Sequence, residues 1–419
     1  HCGYGVPIGS VFASPHYVSP AAVGYDINCG MRLFTTPLRA RDVDVARLAD
    51  AIRREIPLGE GKSNLSVSAG AVERVLQEGV PALLSLVDGE ASLRKGYERS
   101  DLERDLLHIE SGGALPGRHA AVPSRAIDRG RDQLGTLGGG NHFIELQRVD
   151  HVADPGIAAA WGLFEGQLVV MIHSGSRGLG HEVGGVFMRE AAELCRRERL
   201  PMPNQELAYM PAGSEQGKRY IDAMHAAANY AFANRQLMAQ LARRSIRQLF
   251  GAGLELPTVY DVAHNITKQE RHQRKDLWVH RKGATRAFPG KLLAGTPFEA
   301  TGQPVLIPGS MGTSSYLLVG VETGFESLYS VNHGAGRRMS RTAASGVGRR
   351  GKTVMAAAIS DLEFRQSMQG VYLLCEDRRS IKEEAPAAYK DIDQVVETVA
   401  GAGLARIVAR MKPLAVLKG

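Results

Sequence analysis

The sequence predicts a single mixed α/β domain over residues 1–419, with central β-sheets, surrounding helices and a deep metal-holding cleft. Three observations lead there. Short β-branched runs alternate with segments of helical spacing. No low-complexity linker and no repeat of 20–50 residues divides the chain. Runs carrying histidine, cysteine and aspartate are spread from residue 26 to residue 333. They can meet only if both halves of the chain fold around one cleft.

Taken in order, the first 35 residues are rich in glycine and proline with short β-branched pieces, which reads as strands and tight turns. Residues 41–56 and 71–88 have helical spacing, and 99–110 form a charged segment expected as a surface helix. After a glycine loop, residues 143–147 return to a strand. Residues 168–172 are a continuous apolar run, expected as a buried strand ending at His173. Residues 180–199 read as a helix that opens just after Ser174-Gly175-Ser176-Arg177-Gly178. A glycine-rich turn feeding a helix N-terminus is a ready anion site. Residues 215–250 repeat alanine and leucine at three and four and form the longest helix. Strands are expected at 258–262, 277–280, 305–308, 316–319 and 371–374. Residues 337–346 read as a basic helix, 391–411 as a helix, and 413–417 as an apolar, strand-like end.

The 51 basic residues outnumber the 44 acidic ones, for a net charge of +7. That suits an enzyme of RNA, DNA or nucleotides without requiring one. Aromatics are only 6% of the chain, so a base-stacking platform is not the obvious mode of recognition. Cys2, Cys29, Cys195 and Cys375 are dispersed and form no Cys-x-x-Cys pair, which argues against a disulfide framework or zinc ribbon. Reduced thiols and a cytoplasmic location are expected. No apolar run reaches the roughly 18 residues that span a membrane, and no signal peptide is visible.

Five short runs stand out: Asp26-Ile27-Asn28-Cys29, Gly140-Asn141-His142, Ile172-His173-Ser174-Gly175, Val262-Ala263-His264-Asn265 and Asn332-His333-Gly334. Alone, such a histidine is more often a hydrogen-bonded structural residue, and a lone buried cysteine an inert small hydrophobe. Together, all five end or interrupt expected strands with metal-competent side chains. Asp26, Cys29, His142, His173 and His264 suffice for two metal ions that share the thiolate, leaving His333 free for chemistry. His16, His108, His119, His151, His225 and His272 lack such neighbours and read as surface or structural. There is no phosphate-binding lysine loop, and Gly135-Thr136-Leu137-Gly138-Gly139-Gly140 precedes a strand rather than a helix. No lysine nucleophile motif of the usual ligase type occurs, so histidine is the candidate nucleophile.

These runs, with His173-Ser174-Gly175-Ser176-Arg177-Gly178, His280-Arg281-Lys282-Gly283-Ala284-Thr285-Arg286, His333-Gly334-Ala335-Gly336-Arg337 and the closing Leu417-Lys418-Gly419, resemble the RtcB-type RNA-splicing ligases. The resemblance runs from His1 to Gly419 in order. It implies the fold of that family and a ligase dependent on GTP and two Mn²⁺ ions. Such enzymes join RNA 3′-phosphate or 2′,3′-cyclic phosphate ends to 5′-hydroxyl ends, in tRNA splicing or RNA repair. An activating protein partner is left open. By motif, Cys29, His173 and His264 would hold one ion, and Asp26, Cys29 and His142 the other. His333 would take GMP. Asn141, Phe143, Glu145, Asn265, Ser315, Ala335, Gly336, Tyr389 and Lys418 match guanylate-binding positions, and Arg177 and Arg341 match positions for the RNA phosphate. Family members usually carry Asp-Val-His before Gly-Tyr-Gly, so the family's N-terminal segment, with its acid, is expected to precede His1. Cys2 stands where glutamine is common.

Two other functions use the same residues. In a dimetal phosphohydrolase the ligands would activate water and His333 would be a general acid. In a non-catalytic RNA-end-binding paralogue only the fold would matter, but retention of all five ligands with His333 and Lys418 argues against decay.

Overall fold

The computed structural model describes residues 6–94, 98–202, 204–348, 352–379 and 381–419, so His1 and Cys2 lie outside the described residues. The strands that matter here are β1 (Ser10–Ser14), β2 (Gly30–Arg39), β3 (Phe143–Val152), β4 (Gln167–Ser174), β5 (Thr258–Ala263), β6 (Asn265–His272) and β7 (Lys275–Lys282). They continue with β8 (Pro304–Ile307), β9 (Ser315–Gly320), β10 (Tyr372–Cys375) and β11 (Ala405–Lys418). A mixed α/β fold results, as the sequence predicts. Its main sheet runs β8-β9-β11-β3-β4-β2-β5, with β10 added beside β11. Neighbours along this order are antiparallel. Only β10 lies parallel, pairing Tyr372–Cys375 with Ala415–Lys418. A second sheet, β1-β7-β6, packs the hairpin that follows His264.

The apolar run of β4 is buried on both faces. Val169 and Met171 enter one core, while Leu168, Val170 and Ile172 enter another on the opposite face. Side chains alternate across a strand, so one run feeds two cores. The helix Glu215–Phe250 packs against the second face through Met238, Ala239, Leu241, Ala242 and Ile246. Ser214 caps its first turn by accepting from the Gly217 N–H at 3.0 Å. Among the described residues no helix is long and apolar enough to cross a membrane.

Four expectations about elements need correction. The helix expected over 391–411 stops at Gly401, and Ala405–Lys418 is a strand. Gly403, with φ +67°, turns the chain, and the following residues pair with both β9 and β3. That two-sided pairing outweighs local helical spacing. The expected helix over 71–88 is two, Ala69–Glu78 and Leu83–Gly89, split at Gly79 with φ +68°. The basic helix over 337–346 shrinks to Arg341–Ser345. The charged segment over 99–110 does form a surface helix, Arg99–Asp105, with Arg99, Glu103 and Arg104 exposed, but Asp101, Asp105 and Glu110 are buried. They pair with Arg247, Arg243 and Lys268 respectively. Ion pairing across distant segments draws those charges inward, which no local pattern reveals.

Candidate active site

The strand order explains why residues so far apart in sequence meet. Cys29 immediately precedes β2, His142 immediately precedes β3, His173 lies at the end of β4, and His264 sits between β5 and β6. Register pairs Met31 with His173, Phe143 with His173, and Gly30 with both Ser174 and Ala263. The ligand-bearing ends of four adjacent strands therefore share one rim. Gly30 is required there, because a Cβ would come within 2.5 Å of the Val262 carbonyl oxygen.

Cys29 Sγ lies 3.3 Å from His142 Nε2 and 3.2 Å from His173 Nε2. His173 Nε2 lies 3.2 Å from His264 Nε2, and His142 Nε2 lies 2.7 Å from Asp26 Oδ2. Two donor triads result, Cys29/His173/His264 and Asp26/Cys29/His142, each with ligand atoms within 4.8 Å of one another. That spread is close to donors gathered on one ion at bonds of about 2.0–2.3 Å. Cys29 belongs to both. His142 Nδ1 faces the Leu137 carbonyl at 3.0 Å and His173 Nδ1 faces the Asn141 carbonyl at 3.1 Å. Those carbonyls place the ring protons on Nδ1 and leave the Nε2 lone pairs pointing inward. Burial holds His173 and His264 well below the usual imidazole range, and neighbouring histidines add to it. Both are neutral. Burial would raise Asp26, but His142 and other neighbours hold it below its usual value. Burial, with Asp26, pushes the Cys29 thiol well up; a coordinated divalent ion reverses that logic. Inward lone pairs, a carboxylate and a thiol at these spacings fit a pair of divalent transition ions, of the borderline-soft kind.

His333 follows the short strand Ser330–Asn332. Its ring centroid is 4.3 Å from that of His264 and 6.5 Å from that of His173. Its Nδ1 donates to the Gly283 carbonyl at 2.7 Å, which leaves Nε2 unprotonated. Burial lowers its pKa to about 4. Gly283 must be glycine: φ is +64°, and a Cβ would sit 2.3 Å from Ile8 and 3.1 Å from the His333 ring.

On the adjoining side, β11 lies beside β3, so Lys418 pairs with Phe143 and Val416 with Glu145. The Lys418 ammonium is 3% exposed and lies 5.9 Å over the Phe143 ring. Gln147 donates to Glu145 at 2.6 Å and to Ser315 Oγ at 3.0 Å. Burial pushes the Glu145 carboxyl up to about 8, against Gln147 and Lys418. Ala335 and Gly336 lie in the turn after His333, and the Gly336 carbonyl accepts from the Lys390 N–H, next to Tyr389. The Asn141 carbonyl is the His173 partner already named. Asn265 braces the rim: its side chain donates to the Asp26 carbonyl at 3.1 Å and accepts from the Gly283 N–H at 2.9 Å. Arg177 is buried and donates to Thr136 Oγ1 at 3.2 Å. Arg341 is half-exposed, and its guanidinium lies 3.5 Å from where a Cβ on Gly140 would be. The five candidate ligands and His333 thus meet on one rim, with Asn265 bracing it.

Reading the sequence missed the brace beneath the metal-competent cluster. Arg235 Nη1 donates to the Asn28 carbonyl at 2.7 Å and the Ser174 carbonyl at 2.9 Å, and its Nη2 binds Asp261 Oδ1 at 2.8 Å. One guanidinium so ties the segments carrying Cys29, His173 and His264. Asn234 accepts from Gly135 N–H at 2.8 Å and donates to the Gly175 carbonyl at 3.3 Å. Two adjacent polar residues, Asn234 and Arg235, inside an alanine-rich buried helix are the signal that could have found them.

A sheet rim that gathers thiol, imidazole and carboxylate donors beside a spare neutral histidine and buried cations defines a metal-dependent phosphoryl-transfer class of enzyme. The family described as tRNA-splicing ligase RtcB matches residues 1–419, and the chain belongs to that family of RNA ligases. It is similar to the tRNA-splicing ligase RtcB of Thermococcus kodakarensis, at 43% identity over 439 aligned positions covering 100% of this chain and 86% of the relative. The Aeropyrum pernix protein of the same name is 42% identical, with the same coverages. That of Pyrococcus horikoshii is 41% identical over 98% of this chain but only 46% of the relative.

Proposed function

We propose that this chain seals RNA 3′-phosphate or 2′,3′-cyclic phosphate ends to 5′-hydroxyl ends, in tRNA splicing or RNA repair, through GMP carried on His333. The whole chain acts as one catalytic unit in the cytoplasm, with GTP and two Mn²⁺ ions. The observation that carries this reading is His333 itself. It is a half-buried, neutral imidazole with Nδ1 committed to the Gly283 carbonyl, set against the cluster of metal-competent residues.

Asp26, Cys29 and His142 would hold one ion, and Cys29, His173 and His264 the other. When bound, such ions supply Lewis acidity to phosphate oxygens. His333 Nε2 attacks the α-phosphorus of GTP; an N–P bond forms, the bond to the bridging oxygen breaks, and pyrophosphate leaves. The Nδ1 proton stays on the ring, held by Gly283. A 2′,3′-cyclic end is first opened by water: the water oxygen bonds to phosphorus, the P–O2′ bond breaks, and O2′ takes a proton to leave a 3′-phosphate. An oxygen of the RNA 3′-phosphate then attacks the GMP phosphorus, and the N–P bond breaks to free His333. The 5′-hydroxyl oxygen next attacks the activated phosphorus, loses its proton, and expels GMP as the phosphodiester forms. Arg177 and Arg341 would hold the RNA phosphate. Asn141, Phe143, Asn265, Ser315, Ala335, Gly336 and Tyr389 would seat the guanylate. Glu145, once ionised, accepts from guanine N1 and N2, and Lys418 donates to O6. Adenine presents the wrong groups to both.

The test is incubation with α-labelled GTP and Mn²⁺ followed by a denaturing gel. The wild-type chain should carry label that is acid-labile and base-stable, as a phosphoramidate is. His333→Ala should carry none while its metal content stays intact. Label that survives His333→Ala would move the nucleophile elsewhere. A wild-type chain that takes no label but hydrolyses phosphate esters would be a phosphohydrolase.

A further inference from the structure

We propose that Glu384 is a positioning residue that holds the base-reading Lys418, the guanylate-side Tyr389, the RNA-phosphate candidate Arg341 and the neighbouring Arg337 as one unit, and thereby sets the preference for a 6-oxopurine nucleotide. This rests on the guanylate reading above. No expectation from the sequence concerned Glu384.

Glu384 ends the short helical turn Ile381–Glu384, and it is 6% exposed. Donors from three separate segments converge on its carboxylate. Lys418 Nζ lies 3.6 Å from Oε2, and the Tyr389 hydroxyl donates to that same oxygen. Arg337 Nη1 lies 3.3 Å from Oε1 and Arg341 Nε 3.5 Å from it. Arg337 also stacks its guanidinium 4.9 Å over the Tyr389 ring and donates to the Tyr389 hydroxyl at 3.1 Å. One carboxylate therefore links the base end of the site to the phosphate end.

A buried ammonium needs a counter-charge. Two carboxylates stand near Lys418, and they differ. Burial pushes Glu145 up to about 8, so it is mostly protonated at neutral pH. Burial also opposes ionisation of Glu384, yet Lys418, Arg341 and Arg337 bring it down to about 2. Glu384 is thus the standing anion of the pair. Lysine is a point charge on a flexible four-carbon stem with three donors. A contact to Glu384 restrains that stem and leaves donors for an oxygen on the purine. The oxygen it can reach is O6, which guanine and hypoxanthine share and adenine lacks. The purine 2-amino group falls to Glu145 instead. Glu384 should therefore govern the choice between oxo and amino at position 6, and not the choice at position 2.

The experiment measures steady-state sealing of an RNA with 3′-phosphate and 5′-hydroxyl ends by the full chain with Mn²⁺, using GTP, ITP and ATP, beside labelling of the chain by each nucleotide. Wild type, Glu384→Gln, Glu384→Asp, Lys418→Ala and the Glu384→Gln/Lys418→Ala double variant are compared. Loss of a charge-assisted contact should raise the KM for GTP in Glu384→Gln about tenfold, with kcat within about threefold. GTP-over-ATP preference should fall, while GTP-over-ITP preference holds. Glu384→Asp, which keeps the charge, should recover part of the loss. In the Lys418→Ala background the glutamine change should add less than about twofold to KM, because coupled residues are not additive. An unchanged KM for GTP, a fully additive double variant, or an equal fall in both preferences would overturn the proposal. If Glu384→Gln does not fold, Glu384→Asp alone decides by the same two preferences. A wild type that takes no label from GTP fails the guanylate reading itself; a wild type that labels, beside a Glu384→Gln enzyme that matches it, fails only this inference.

Discussion

The metal-competent end and the proposed guanylate end of the site are built in different ways. Asp26, Cys29, His142, His173 and His264 come from the ends of neighbouring strands, and strand register aligns them. Arg235 then fixes the backbone around Cys29 and His173 from below. Lys418, Tyr389 and Arg341 come instead from the last strand, a turn and a five-residue helix, and a buried carboxylate joins them. Hydrogen-bonded strands leave little freedom, which suits ligands that must fit bonds of fixed length. Charge networks between loops tolerate adjustment, which would suit the nucleotide exchange proposed above. Losses at the first end should therefore be severe and indifferent to the base, and losses at the second graded and base-dependent.

The most direct way to break this contrast is Cys29→Ala. It removes the donor common to both triads, so binding of both ions and all guanylylation should collapse, by roughly three orders of magnitude or more in rate. Calorimetric titration with Mn²⁺ and the labelling gel check it. Retention of two tight sites would show that the thiol is not shared. Next comes Lys418→Ala, which should weaken GTP use by about ten- to a hundredfold, the scale of one charge-assisted hydrogen bond of roughly 1.5–3 kcal/mol. Metal titration should be unchanged, and ATP should be less well rejected. Equal loss of metal binding in this variant would merge the two ends into one.

The smallest effect concerns pH. The free Glu145 carboxyl has a pKa raised to about 8 by burial. In the proposed reading its ionised form accepts from both guanine N1 and N2, so GTP affinity should rise as pH approaches 8 and level off above it. Below that value the loss is at most about tenfold per pH unit, and less if Lys418 pulls the pKa down as GTP enters. Direct GTP titration between pH 6 and 9 measures the slope, and Glu145→Gln should flatten it. A wild-type slope of the opposite sign would mean that Glu145 acts as a protonated donor.

Much of the site was legible because its chemistry is local. Small residues flank each histidine, and β-branched runs lead into them, so His142, His173, His264 and His333 announced strand ends without any knowledge of pairing. Lys418 was legible for a related reason: apolar residues 413–417 tie the chain end into the sheet, and Lys418 is buried there. Charged residues misled more often. Asp101, Asp105 and Glu110 looked solvated, yet each is buried against a cation more than a hundred residues away.

The sequence by itself determined which side chains were available for chemistry and that they stood at the ends of strands, because residue type and period are properties of neighbours along the chain. The tertiary structure alone decided that β11 would be a strand over its whole length, that Arg235 would brace three ligand segments, and that Glu384 would stand between Lys418 and Arg341. Each depends on register and burial across long separations. A charge reveals its partner only when folding removes it from water and leaves one counter-charge within reach.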